Sequence, residues 1–299
     1  MFRKFKIIVS MMIVFFAFGL FNTMKAEQNH TSDVNSSDIK NDPGMFKNNF
    51  YRFNKSTKVY LQLLSKKDSR TIYKKIKIPK GTVITAKKEE EYITHQKYYK
   101  FGYDNFDLSY HLKKQGISSK LYGEGIISFR IKPSSKILTK IKKPSYALSY
   151  GSGEFIPGGL SAIHKLPKRD FSKYYKITSD GWIELYRYKY HEYPQINEDS
   201  LDGYPTNSVF YESRPDASSK IKLVKQSKNK KYFYIDHKIP GLKMHHNKKS
   251  KISRYYFVLK DNRKAVSYED NAYGDDMAIS SIYTIGNKPF YMVIGEGFN

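Results

Sequence analysis

The 299-residue chain carries 53 Lys plus Arg against 28 Asp plus Glu, for a formal charge of +25, together with 27 Tyr and 19 Phe. A cationic surplus of this size attracts polyanions (nucleic acid, anionic membrane, acidic wall polymer or acidic glycan) and carries no information about fold. The cysteine count is 0, which excludes thiol catalysis, disulfides, thiolate metal sites and a lipid-anchor cysteine.

Arg3, Lys4 and Lys6 precede an apolar run from Ile7 to Phe21, and Ala26 offers a small residue for cleavage. The run is shorter than the roughly 20 apolar residues that span a bilayer, so residues 1–26 read as a secretory signal peptide. Residues 27–44, dominated by Asn, Ser, Asp and Thr, read as a flexible linker.

Beyond the linker the pattern is that of strands. Val59 to Leu63, Ile72 to Ile78, Thr82 to Ala86, Ile126 to Ile131 and Ser218 to Asp236 hold β-prone residues, and no window sustains a helical period. One stretch is written three times. Tyr174-Tyr175-Lys176-Ile177, a Ser179-Asp180-Gly181 turn and Trp182-Ile183-Glu184-Leu185-Tyr186 read as a hairpin. Tyr98 to Phe101, Asp104-Asn105 and Phe106 to Tyr110 repeat it earlier, and Tyr255 to Val258, Asp261-Asn262 and Ala265 to Tyr268 repeat it later. Each copy follows an Ile-Pro marker, at Ile78-Pro79, Ile156-Pro157 and Ile239-Pro240.

Two markers in the same order three times predict three diverged copies of one module. The boundaries are 45–118 for β module 1, 119–197 for β module 2 and 198–299 for β module 3. The tyrosine excess suits small barrels with many half-buried positions, because each buried hydroxyl needs a partner. The expected fold is therefore mostly β: three tandem small β-barrels after a signal peptide. The tail from Ala265 to Asn299 sets Glu269, Asp270, Asp275, Asp276 and Glu296 against Lys288 alone. Its Ile282 to Ile285 and Phe290 to Ile294 flank Gly286-Asn287 as a closing acidic hairpin. No Leu-Pro-x-Thr-Gly sorting motif is present, so covalent wall attachment is not expected.

Basic modules of this length behind a signal peptide, with a Tyr-Tyr-Lys strand and Asp180-Gly181-Trp182-Ile183, resemble the GW modules of Gram-positive surface proteins. These belong to the bacterial Src-homology-3-like small barrels. Gly181-Trp182 is the one literal GW pair, and Phe106 and Ala265 stand nearest its tryptophan in the other copies. Surface proteins of lactic-acid-type bacteria with Tyr- and Lys-rich repeats look similar too. The resemblance implies non-covalent attachment to teichoic or lipoteichoic acid, with host glycosaminoglycans as a further ligand class, and no catalysis.

The polyanion-binding candidates are dense basic runs: Lys74, Lys75 and Lys77; Lys228, Lys230 and Lys231; Lys248, Lys249 and Lys251. Lys100, Lys176, Arg187 and Lys189 flank the repeated hairpin and join them. The bland reading of each run is a solvated face that keeps the chain soluble. Trp182 and Tyr186 form a candidate aromatic platform for sugars, against the commoner reading of such residues as core. Alternation puts both on one face with Glu184, which marks that face as the wetter one.

Chemistry is sparse. His245-His246 point to opposite faces if they lie on a strand, His191-Glu192 lacks a second histidine at metalloprotease spacing, and Asp275-Asp276 lacks calcium-loop spacing. No nucleophile elbow is present. The reading is a secreted, non-catalytic surface protein, without cofactor or metal, that binds anionic wall polymer; nucleic acid is not expected as its physiological partner. An adhesin for host glycan or protein, and a protein associated with a wall hydrolase, are the alternatives.

Overall fold

Alternation of apolar and polar side chains produces strands along most of the described chain. The computed structural model describes residues 31–35, 39, 45, 47–65, 70–102, 108–118, 121–132, 134–164, 173–187, 214–248, 253–269 and 277–296. The signal peptide read at 1–26 lies outside them. In chain order the elements begin with β1 (Thr31–Val34), β2 (Phe50–Phe53), β3 (Thr57–Ser65), β4 (Thr71–Ile78), β5 (Val83–Thr85), β6 (Lys87–Ile93) and β7 (Gln96–Gly102). The short helix α1 (Tyr110–Lys113) leads to β8 (Leu121–Ile131), β9 (Leu138–Ile141) and β10 (Glu154–Pro157). A second short helix, α2 (Leu160–Ile163), precedes β11 (Lys173–Ile177), β12 (Trp182–Arg187), β13 (Ala217–Ser227), β14 (Lys230–Ile235), β15 (His245–His246), β16 (Tyr255–Glu269), β17 (Met277–Ile285) and β18 (Lys288–Glu296).

The first lobe is two sheets, β4-β3-β8-β7-β6 and β5-β2-β9. Val59, Leu61 and Leu63 of β3 alternate inward with Ile76 and Ile78 of β4, and meet Phe53 of β2 and Ile84 of β5 in one core. Phe101 stacks on Phe129 at 5.4 Å within it.

The second lobe is a closed barrel. Its eight strands run β16-β14-β13-β12-β11-β10-β18-β17, and β17 pairs back to β16. The interior holds Phe155, Tyr175, Phe233, Phe257, Tyr283, Phe290 and Met292, and closure removes the open edges that a sheet of this size would otherwise expose. Neighbouring residues alternate between two clusters: Phe290 and Met292 join the interior, while Tyr291 joins Tyr174, Tyr186, Tyr268 and Ile163 of α2 on the other side of the wall.

Two tight turns set the registers. Gly181 adopts φ +78 between β11 and β12, where a Cβ would meet the Tyr146 ring at 3.0 Å. Gly286 and Asn287, at φ +55 and +70, join β17 to β18 as the two-residue hairpin expected from that pair.

The mostly β reading holds, but three tandem barrels do not describe the chain. Segments assigned to 119–197 and 198–299 close one barrel together, because β12 pairs with β13 and β10 with β18. The boundary after residue 118 falls inside the first lobe, since β8 pairs with β3 and β7 and β9 pairs with β2. The three hairpin copies have three outcomes. The second is a hairpin, β11 to β12. The third is a single strand, β16, with an irregularity between Asp261 and Lys264; the Asp261 carboxylate accepts from the Arg263 amide at 2.7 Å, and β17 pairs on both sides of it. In the first, Tyr110 opens α1 rather than a returning strand, and residues 103–107 lie outside the described residues. Residues 31–34, read as flexible linker, form β1, which adds to β16 from Thr31↔Tyr268 to Val34↔Ala265. The acidic hairpin is not a cap on a module but two staves of the barrel.

The lobes are packed together. Met45 and Phe50 join the barrel interior, and the Asn48 side chain donates to the carbonyl oxygens of Leu148 and Gly151. Among the described residues no helix is long and apolar enough to cross a membrane.

Candidate polyanion-binding face

The outer face of the five-stranded sheet follows from the period-2 pattern that builds its core. With Val59 and Leu61 inward, Lys58 and Tyr60 face out; with Ile76 and Ile78 inward, Tyr73, Lys75 and Lys77 face out. Register then brings cations together: Lys58 stands opposite Lys77, Lys75 opposite Tyr60, and Lys100 opposite Arg130. The Lys75 ammonium lies 5.5 Å from the Tyr60 ring centre, and Tyr60 and Tyr73 are 45% and 58% exposed. At the far margin Glu91 grips Arg130, and that pairing holds its carboxyl below the usual range. Lys74 is exposed but faces the other way, beside Gly116. The edge of β4 is closed by Gln115, whose amide accepts from Lys77 N at 3.0 Å and donates to Lys77 O at 3.1 Å, as a neighbouring strand would.

The remaining sequence candidates disperse. Lys228 sits at φ +51 in the β13–β14 turn, and Lys230 is exposed opposite Lys260. Lys248 is exposed. Lys231 points inward and donates at 2.9 Å to the carbonyls of both Ser145 and Ala147; burial and the nearby Lys143 push its ammonium down to about 8. Lys176 is a correction: it is fully buried and bonded to Glu154 at 2.9 Å, so no polymer reaches it. Arg187 is exposed and paired with Asp216. Lys189, Lys249 and Lys251 lie outside the described residues.

The aromatic platform is corrected as well. Tyr186 is buried, stacks on Tyr174 at 5.2 Å and donates to Glu184 at 2.8 Å. Trp182 is half-buried, with the His111 ring stacked on it at 4.9 Å and Lys220 at 5.5 Å. Their shared face is not the wetter one, because Glu184 is 0% exposed. Tyr186 packs with Tyr174 and with Ile163 of α2, while α1 covers the Trp182 and Glu184 end.

That covering creates a buried polar junction which the sequence reading missed. Asp180 accepts from the Ser109 amide at 2.9 Å, the Ser109 hydroxyl at 2.6 Å and the Thr178 hydroxyl at 2.8 Å. Glu184 accepts from the Tyr110 amide at 3.0 Å. Burial pushes the Glu184 carboxyl up to about 7; the Lys113 ammonium and the Tyr186 and Tyr110 bonds pull it down, and the Asp180 charge adds to the rise. Two carboxylates thus meet the free amides at the start of α1, where such groups need acceptors. A glutamate in the middle of an apolar strand was the sequence sign of it.

His245 stacks on Tyr256 and His246 meets Tyr255 edge-on, so the two histidines do face opposite ways. Among the described residues no group of three or more His, Cys, Asp or Glu is placed to hold a metal ion. Comparison with known proteins finds no matching family model, no matching curated protein and no matching solved structure.

Proposed function

We propose that this chain is a secreted, non-catalytic surface protein that binds an anionic cell-wall polymer of the teichoic or lipoteichoic acid type without a covalent bond. The basic outer face of the first lobe carries the contact. The observation that supports the reading is the opposition of Lys58 to Lys77 on that face, with Lys75 beside the exposed Tyr60. Like charges directly opposite each other destabilise a sheet by some tenths of a kcal/mol, up to about 1. A phosphate chain lying across the rows turns that repulsion into attraction and releases its own counterions. Tyr60 and Tyr73 supply flat contact surface between the cations. Secretion rests on the basic start and the apolar run from Ile7 to Phe21.

The test is sedimentation with purified walls, intact and stripped of teichoic acid, across a salt series. Binding to intact walls at low salt, elution at high salt and little retention on stripped walls support the proposal. Equal binding to stripped walls, or binding that ignores salt, overturns it and points to peptidoglycan sugar or a protein receptor, the adhesin alternative.

A further inference from the structure

A second face, on the barrel, is built differently. With Phe233 and Phe257 stacked inward at 4.9 Å, the intervening residues of β13, β14 and β16 point outward. Register lines them up: Leu223 opposite Tyr234, Tyr234 opposite Tyr256, Tyr256 opposite His245, and in the next row Lys225 opposite Tyr232. Tyr234 and Tyr256 have ring centres 5.3 Å apart, His245 stacks on Tyr256 at 4.9 Å, and Tyr232 lies 6.3 Å from Tyr256; all three tyrosines are half-buried. Leu223 at the margin is 47% exposed. Cations border the rings: Lys225 reaches within 5.5 Å of the Tyr234 ring, and beyond Tyr232 the exposed Lys230 opposes the exposed Lys260. The acids nearest along these strands are engaged elsewhere, Asp236 with Lys222 and Asp261 with the Arg263 amide.

The contrast with the first lobe is chemical. There the cations sit in the centre and aromatic rings are interspersed; here rings fill the centre and cations the border. A bare phosphate chain gains little from three tyrosines and a leucine, whereas the C–H faces of pyranose rings pack on such rings and leave acidic substituents for the border. We propose that the outer face of β13, β14 and β16 binds the sugar rings of a sugar-phosphate polymer, with Tyr232, Tyr234 and Tyr256 under the rings and Lys225, Lys230 and Lys260 on the phosphates. This rests on the polyanion-binding reading and narrows its ligand from any polyphosphate to one carrying pyranose.

The test uses the full secreted chain and three probes: phosphomannan (sugar and phosphate), linear polyphosphate (phosphate alone) and neutral mannan (sugar alone). Phosphomannan should bind more tightly than polyphosphate of matched charge, and mannan weakly. Replacing both rings, Tyr234→Leu with Tyr256→Leu, keeps apolar bulk and should weaken phosphomannan about tenfold while polyphosphate changes less than about twofold. Tyr234→Phe with Tyr256→Phe keeps the rings and should restore the affinity. In the unaltered protein, phosphomannan should shift the tyrosine ring resonances in NMR and polyphosphate should not, which keeps the test decisive if the leucine variant fails to fold. Parallel loss of both polymers, no loss of either, or an oligonucleotide that depends on the same two rings overturns the inference. Lys75→Glu with Lys77→Glu reads the other face: if it weakens neither polymer while the leucine variant still separates them, the first-lobe proposal fails and this one stands.

Discussion

The Glu184 carboxylate, on a barrel strand, accepts the backbone N–H of Tyr110, the first residue of a helix in the other lobe, at 3.0 Å. The bond ties strand β12 to a helix too short to be stable alone, and it does so with a fully buried side chain whose carboxyl is raised to about 7.

A carboxyl raised in the folded state and ordinary in the unfolded one favours folding at low pH. Its contribution is present below about pH 4.5 and is lost as pH rises through 7. The full swing amounts to about 3 kcal/mol. The charged and titratable neighbours that face it are Lys113, Asp180 and Tyr186, with Lys176 opposite on β11. Glu184→Gln keeps an acceptor for Tyr110 and Tyr186 but cannot titrate. The wild-type minus variant stability, from urea unfolding at pH 4 to 8, should therefore fall by about 3 kcal/mol as pH rises, around a constant offset. A flat difference rejects the raised carboxyl.

Asp180 satisfies three donors with two oxygens. Asp180→Ala should cost about 3 kcal/mol in the same unfolding experiment, since it leaves the buried Ser109 amide without that acceptor, and Ser109→Ala about 1 kcal/mol. If the two changes cost the same, the amide bond contributes nothing beyond the hydroxyl.

The only tryptophan, Trp182, reports on this junction because His111 of α1 stacks on it. His111→Ala should redden the emission and raise acrylamide quenching, with the fold retained by circular dichroism. Unchanged fluorescence would mean that α1 does not dock there in solution.

On the basic face, Lys75→Ala with Lys77→Ala should lower the slope of log affinity against log salt by about 1.5 for a phosphate polymer. Lys176→Ala should instead leave binding as it was and lower stability, because its ammonium is buried against Glu154. A binding loss from Lys176→Ala at unchanged stability would restore it to the ligand site.

Strands were legible because their pattern is local. Val59, Leu61 and Leu63 alternate within a few residues, and Gly286-Asn287 prescribes its own turn. The Ile-Pro pairs share a local feature rather than a module, since Ile78, Ile156 and Ile239 are all buried ahead of a turn glycine at positive φ. What failed depended on distant partners. Asp261-Asn262 looks like a hairpin turn, yet β17 pairs on both sides and makes it a bulge. Lys176 and Tyr186 look like surface groups until Glu154 pairs with the one and Tyr174, Tyr268 and Ile163 pack around the other. The period of the repeat suggested three bodies, whereas ring closure through β10 and β18 fused two of them.

That closure also imposes a schedule. Every pairing of the five-stranded sheet and of its small partner sheet lies before residue 142, so the basic lobe is complete in sequence early in synthesis. The barrel waits for residues 288–296, which wedge between β17 and β10. Until they emerge, Phe155 and Tyr175 line a gap rather than a wall. Maturation of the two lobes is therefore staggered, and the Asp180 and Glu184 carboxylates have a helix to receive well before the barrel that carries them is sealed.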